Sequence, residues 1–106
     1  MPQQINAAQL QERLRAGETL NLLDVREAME YHTFNIGGQN IPVNKLEQNI
    51  NSTGYNKTDE IIVICSAGIR SQTAQAILTE NGFNNVLNLT GGLKALQKLN
   101  INNTSS

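Results

Sequence analysis

The chain has 106 residues and only one cysteine and one histidine, so thiol chemistry falls on a single position, Cys65. Cys65-Ser66-Ala67-Gly68-Ile69-Arg70-Ser71 follows the β-branched run Ile61-Ile62-Val63-Ile64 and precedes Gln72–Asn81, a stretch of helix formers. The run suits a strand buried on both faces, and the stretch sets Ala74, Ile77 and Leu78 at helical spacing. A cysteine at that junction faces the unpaired N–H groups and partial positive charge of a helix N-terminus. Both lower a thiol pKa and favour thiolate, the reactive form. Ser66 and Ala67 are small and Gly68 has no side chain, so the backbone can curl around the sulfur with its amides inward, a nest for an anion. Arg70 adds a permanent charge and a planar fork of donors, and Ser71 adds a hydroxyl in the first helical turn. A lone cysteine after an apolar run is by default an inert core residue. Gly68, Arg70 and the strand-to-helix position together favour a nucleophile instead.

The elements that must position this loop follow from hydrophobic patterning. Gln3–Ile5 reads as a short first strand, with Asn6 as N-cap of a helix over Ala7–Ala16 that repeats apolar residues at Leu10 and Leu14 and ends at Gly17. Leu20–Val25 reads as a second strand and Arg26–Tyr31 as a helical turn. The glycine-bearing loop Asn35–Pro42 leads into a brief strand near Asn40 and Ile41. Val43–Ile50 reads as a short helix with Val43, Leu46 and Ile50 inward, and Asn51–Asp59 as a polar surface loop. Gly82 caps the helix after the cysteine loop. Val86–Leu89 is the last strand, Thr90-Gly91-Gly92 a tight turn, and Leu93–Leu99 the last helix. Strands alternating with short helices argue for a parallel sheet covered on both faces. The Cys65 loop then lies at the carboxyl edge of that sheet, where ligands bind in such folds. The expected organisation is one domain over residues 1–99 and a frayed polar tail over 100–106.

Composition narrows the classes. A formal net charge of -1 leaves no electrostatic footprint for nucleic acid or an anionic membrane. One Cys and one His exclude an internal disulfide, a thiolate-rich zinc site and a His cluster. No apolar run approaches a membrane span. The opening MPQQINAAQL lacks the basic-then-apolar pattern of a secretory signal, so a reducing cytoplasm is the expected setting. His32 lies in a polar stretch with no acid–base partner and reads as a surface residue.

These residues resemble the rhodanese family in its single-domain form. Leu22-Leu23-Asp24-Val25-Arg26-Glu27 with Glu30-Tyr31 is similar to its motif at the second strand, and Asn40-Ile41-Pro42 to the end of its second motif. Cys65–Ser71 is similar to its active-site loop. Gly82-Phe83, Asn85-Val86 and Asn88-Leu89-Thr90-Gly91-Gly92-Leu93 resemble its C-terminal signature. The resemblance implies an α/β fold, a three-layer α/β/α arrangement with a five-stranded parallel sheet. It implies a sulfurtransferase without a cofactor, in which the Cys65 thiolate takes the outer sulfur of thiosulfate or another donor as a persulfide and passes it to a nucleophile. Amides from Ser66 to Arg70, including those of Ala67, Gly68 and Ile69, would stabilise the persulfide, and Arg70 and Ser71 would hold the donor. Asp24 and Arg26 match a family pair that reads as a salt-bridged strand end. Gly91-Gly92 reads as a backbone turn rather than a phosphate loop.

Three departures colour that expectation. Asn35-Ile36-Gly37-Gly38 replaces the family's His-Ile-Pro-Gly core, a variant similar to rhodanese domains joined to adenylyltransferases that sulfurate ubiquitin-like carriers. The implied partners are therefore a small-molecule sulfur donor or persulfide-bearing protein, with a sulfur-carrier protein or adenylyltransferase alongside. Leu96 stands where the family often has Trp, a change of packing. Ser66 and Ile69 are neutral where relatives often carry a basic residue, so Arg70 is the one cation of the loop and attraction for thiosulfate is expected to be weak. Two other functions compete. One is a non-catalytic sensor or docking module, although such domains have usually lost the cysteine. The other is a phosphatase or arsenate reductase, but four residues separate Cys65 from Arg70 where the phosphatase pattern has five.

Overall fold

The run Ile61–Ile64 forms a strand whose four side chains are all at 0% exposure, and the other elements are layered about it. The structure is a computed structural model that describes residues 3–104. In chain order the elements are β1 (Gln3–Ile5), α1 (Ala7–Arg15), β2 (Leu22–Asp24), α2 (Ala28–Thr33), β3 (Gln39–Asn40) and α3 (Val43–Asn49). A 3-10 turn over Ile50–Thr53 comes next, followed by β4 (Ile61–Ile64), α4 (Ile69–Glu80), β5 (Val86–Leu89) and α5 (Gly92–Thr104). The strands make one parallel sheet in the order β1-β5-β4-β2-β3, with β4 central.

Alternation along β4 divides the core in two. Ile61, Val63 and Cys65 point to one face, where they pack with Leu46 of α3 and Ala74 and Leu78 of α4. Ile62 and Ile64 point to the other face, against Leu10 of α1 and Leu93 and Leu96 of α5. Each fully buried side chain of this kind contributes about 1.5–3 kcal/mol. Burial on both faces is what an all-parallel sheet requires, and it explains the unbroken apolar run. It also fixes the face of Cys65, which continues the α4-facing row.

Local signals set the boundaries. Asn6 caps α1 through a reciprocal box: its Oδ1 accepts from Gln9 N at 2.8 Å, and Gln9 Oε1 accepts from Asn6 N at 2.9 Å. Glu27 and Glu30 cap α2 in the same way. Of the apolar repeat in α1, Leu10 is buried and Leu14 is 38% exposed. Several elements differ from the sequence expectation. The second strand is shorter than Leu20–Val25, and the helical turn after it starts at Ala28. Asn51–Asp59 opens with the end of the 3-10 turn, in which Thr53 is buried and donates to Ile50 O. The helix after the cysteine starts at Ile69 rather than Gln72. The last helix runs on from Leu99 through Thr104 into the expected polar tail, of which Ser105 and Ser106 lie outside the described residues. So do Met1 and Pro2 of the opening stretch. Among the described residues, no helix is long and apolar enough to cross a membrane.

Candidate active site

Cys65 follows the last residue of β4 and is 1% exposed. Its Sγ accepts hydrogen bonds from Gly68 N at 3.0 Å and Ser71 N at 3.3 Å, and lies 3.3 Å from Ser71 Oγ. The Ala67 amide also points at it. Burial pushes the Cys65 thiol up, but the Ser71 hydroxyl and the amides of Ser71, Gly68 and Ala67 outweigh burial and bring it below the ordinary thiol value. A helix N-terminus adds its partial positive charge in the same direction.

The cradle is held open from behind by α5. Leu93 N donates to Cys65 O at 2.9 Å and Lys94 N to Ser66 O at 3.0 Å. In a trans peptide the C=O and N–H point opposite ways, so tying the carbonyl of Ser66 outward turns the Ala67 amide toward the sulfur. Such close backbone contact demands glycine in the turn before α5. A Cβ on Gly92 would collide with the carbonyls of Cys65 and Ser66. The Gly91-Gly92 pair is thus a backbone turn, and it is part of the site's scaffold. Gly68 takes a left-handed φ of 96° as it caps α4, which turns the chain from the loop into the helix.

Ser71 is fully buried and central. Its Oγ donates to Asn88 Oδ1, and Asn88 Nδ2 reaches Gly68 O at 3.4 Å. Asn88 is 2% exposed in the middle of β5, on the α4-facing side of the sheet, and one buried amide therefore braces the middle of the loop and its end at Ser71. Sequence reasoning placed Asn88 in a signature without giving it a task. An Asn inside an otherwise apolar strand (Val86-Leu87-Asn88-Leu89) was the available signal.

Arg70 does not stand alone. Its Nη1 meets Glu30 Oε1 at 2.6 Å and its Nη2 meets Glu30 Oε2 at 3.0 Å, a bidentate pair, and Nη2 also donates to Ser66 Oγ at 3.2 Å. The Arg70 guanidinium, against an opposing burial cost and with help from the Glu27 amide, holds the Glu30 carboxyl down at about 2. Glu30 is positioned by the Asp24–Arg26 pair. Arg26 Nη2 meets Asp24 Oδ2 at 2.7 Å and Phe34 O at 2.7 Å, and its Nη1 reaches Glu30 O at 3.4 Å. This buried salt bridge anchors α2 to the end of β2, as expected of a structural pair, and brings Glu30 to the mouth of the loop. The pairing of Glu30 with Arg70 links residues 40 apart, and no periodicity in the sequence could show it.

The remaining loop residues divide by direction. Ser71 and Gly68 are buried, Ser66 is half-buried and bonded to Arg70, Ala67 is exposed, and Ile69 turns its side chain outward at 73% exposure. His32 is exposed, as expected. A groove of about 410 Å³ opens beside Ser66, lined among others by Arg26, Met29, Glu30, Phe34 and Lys94. A larger cavity of about 650 Å³, lined by Gln3, Gln75, Thr79 and Val86, lies at the opposite, amino edge of the sheet and away from the thiol. No group of three or more His, Cys, Asp or Glu side chains is arranged to hold a metal ion among the described residues.

A family model described as Rhodanese-like domain matches residues 6–99. The chain belongs to the rhodanese-like family. YrkF of Bacillus subtilis, a relative named for a proposed sulfur-carrier role, is 35% identical over 92 residues. That match takes in 86% of this chain but 49% of YrkF, so the chain spans about half the length of that relative. Thiosulfate sulfurtransferase PspE of Escherichia coli is 37% identical over 73 residues, 68% of this chain and 69% of PspE. The crystal structure of a rhodanese-like domain protein from Staphylococcus aureus superposes with a TM-score of 0.79 at 26% identity, covering 89% of this chain and 90% of that one. The expected α/β fold with a five-stranded parallel sheet is the rhodanese-like fold seen in that neighbour.

Proposed function

We propose that this rhodanese-like chain is a sulfurtransferase that works through a persulfide on Cys65. The observation that carries the reading is the convergence of the Gly68 and Ser71 amides and the Ser71 hydroxyl on one buried sulfur. That arrangement favours an anion on Cys65, whether thiolate or persulfide. In the first half-reaction the thiolate attacks the outer sulfur of a donor. With thiosulfate, the donor S–S bond breaks, sulfite leaves with the electron pair, and Cys65 carries a terminal sulfur bearing one negative charge. In the second, a nucleophile attacks that terminal sulfur, the new S–S bond breaks, and the Cys65 thiolate returns. The loop from Ser66 to Arg70 cradles the terminal sulfur during this cycle, and Ser71 holds the sulfur of Cys65 itself. No general base is needed when the resting thiol is already shifted toward thiolate.

The functional unit is residues 1–99, and a lone reactive thiol suits a reducing compartment such as the cytoplasm. The likeness to a protein named for a sulfur-carrier role supports sulfur delivery to a protein or small-molecule acceptor. Pairing of Arg70 with Glu30 speaks against phosphatase chemistry, because a phosphate would have to break that pair to reach the guanidinium. The test is thiocyanate formation from thiosulfate and cyanide. Wild type should turn over and Cys65→Ala should not. Equal thiocyanate yields from the two proteins would refute an enzymatic role and favour a docking module.

A further inference from the structure

Resting on the sulfurtransferase reading, we propose that Glu30 sets donor selectivity. It cancels the charge of Arg70 at the mouth of the cradle and so turns the site away from small dianions toward donors that bring less charge. The geometry is specific. Both carboxylate oxygens of Glu30 are engaged by the two terminal nitrogens of Arg70, at 2.6 and 3.0 Å. The third contact of that guanidinium is the neutral Ser66 Oγ. Glu30 is not free to swing aside. Its Oε1 also accepts from Glu27 N at 2.9 Å in the α2 cap, and its carbonyl is held by Arg26 and by Phe34 N. Of the other charges close by, Arg26 and Asp24 are spent on each other in a buried pair, and Lys94 lines the groove on the far side of Ser66. At the mouth of the loop Arg70 and Glu30 therefore form a pair with no net charge, and an arriving dianion meets the carboxylate as well as the cation.

The consequence scales with donor charge, which makes it testable. Thiosulfate is a dianion. Methanethiosulfonate has nearly the same shape and carries one negative charge. It delivers its outer sulfur in the same way: the donor S–S bond breaks, methanesulfinate leaves with the electron pair, and Cys65 gains the terminal sulfur. Glu30→Gln keeps an oxygen for the Glu27 amide and for Arg70 but removes the charge. Relative to wild type it should raise kcat/KM for thiosulfate about tenfold, chiefly through KM, and for methanethiosulfonate only about threefold, because Coulomb repulsion at a half-exposed site doubles with charge. Salt dependence supplies a second reading. The kcat/KM of Glu30→Gln for thiosulfate should fall more steeply with ionic strength than that of wild type.

Equal responses of the two donors to Glu30→Gln, or no response while Cys65 still loads with sulfur, overturn the Glu30 assignment alone. A loss of thiosulfate activity with salt that is as steep in wild type as in Glu30→Gln does the same. If neither donor places a sulfur on Cys65 in wild type, the sulfurtransferase reading fails and the assignment falls with it.

Discussion

The Ser71 hydroxyl has one proton and two neighbours that can take it, Cys65 Sγ and Asn88 Oδ1. While Cys65 is a thiol, its own S–H can donate to Ser71 Oγ, which donates onward to Asn88. Once Cys65 is a thiolate, the hydroxyl proton serves the sulfur better, since a hydrogen bond to an anion is the stronger one. The expected alkylation of Cys65 by iodoacetamide rises with pH and levels off with a midpoint below the ordinary thiol value. Ser71→Ala removes a stabiliser of the thiolate, so its midpoint moves up and its rate near neutral pH falls. The same change strands the buried Asn88 oxygen, at a cost of about 1–3 kcal/mol in a denaturant melt. Cys65, Arg70 and Ser71 were legible from residue types at a strand-to-helix junction. Glu30 and Asn88 were not assigned, because their partners come from other elements and side-chain pairing leaves no local pattern.

At the level of elements, the start of α4 was misplaced for a physical reason. An ordinary helix N-terminus announces itself with Ser, Thr, Asp or Asn at the cap, but here the cap is Gly68, with no side chain to donate or accept. The Cys65 sulfur does the capping instead, by accepting from Ser71 N in the first turn of α4. The proposed nucleophile and the helix cap are therefore one group, which ties formation of α4 to the shape of the site. The strands β4 and β5 were legible to the residue, since a continuous β-branched run and a short apolar run between turns have few alternatives. The N-terminus of α5 carries a separate prediction. Gly92→Ala drives a Cβ into the carbonyls of Cys65 and Ser66, so the loop must shift and the amides lose their aim. Stability should drop by about 1–3 kcal/mol, and the pH midpoint of Cys65 alkylation should rise as it does in Ser71→Ala. A melt unchanged from wild type would contradict the packing described for this turn.

Across the whole molecule, the two apolar layers on either side of the sheet fix where the chemistry can be. Alternation along β4 sends Cys65 to the α4 face, and the Asp24–Arg26 bridge carries α2 to the same edge. Charge ties this edge to stability. The folded Glu30 carboxyl titrates near 2, against an ordinary value of 4.5, so its pKa is depressed. Its contribution is full above about 4.5 and is lost as pH falls toward 2. Because the pair is half-exposed, the loss is about 1 kcal/mol, well short of what a buried pair would give. Urea melts at pH 5 and pH 3 should show that step in wild type and lack it in Glu30→Gln. The central claim, that Cys65 is a sulfur carrier in a transfer cycle, is tested most directly by the intact mass of the protein after exposure to thiosulfate or methanethiosulfonate. Wild type should gain one sulfur atom, located on Cys65, and lose it on addition of cyanide, while Cys65→Ala gains none. A wild-type mass that does not change with either donor, or an equal gain in Cys65→Ala, would contradict that claim.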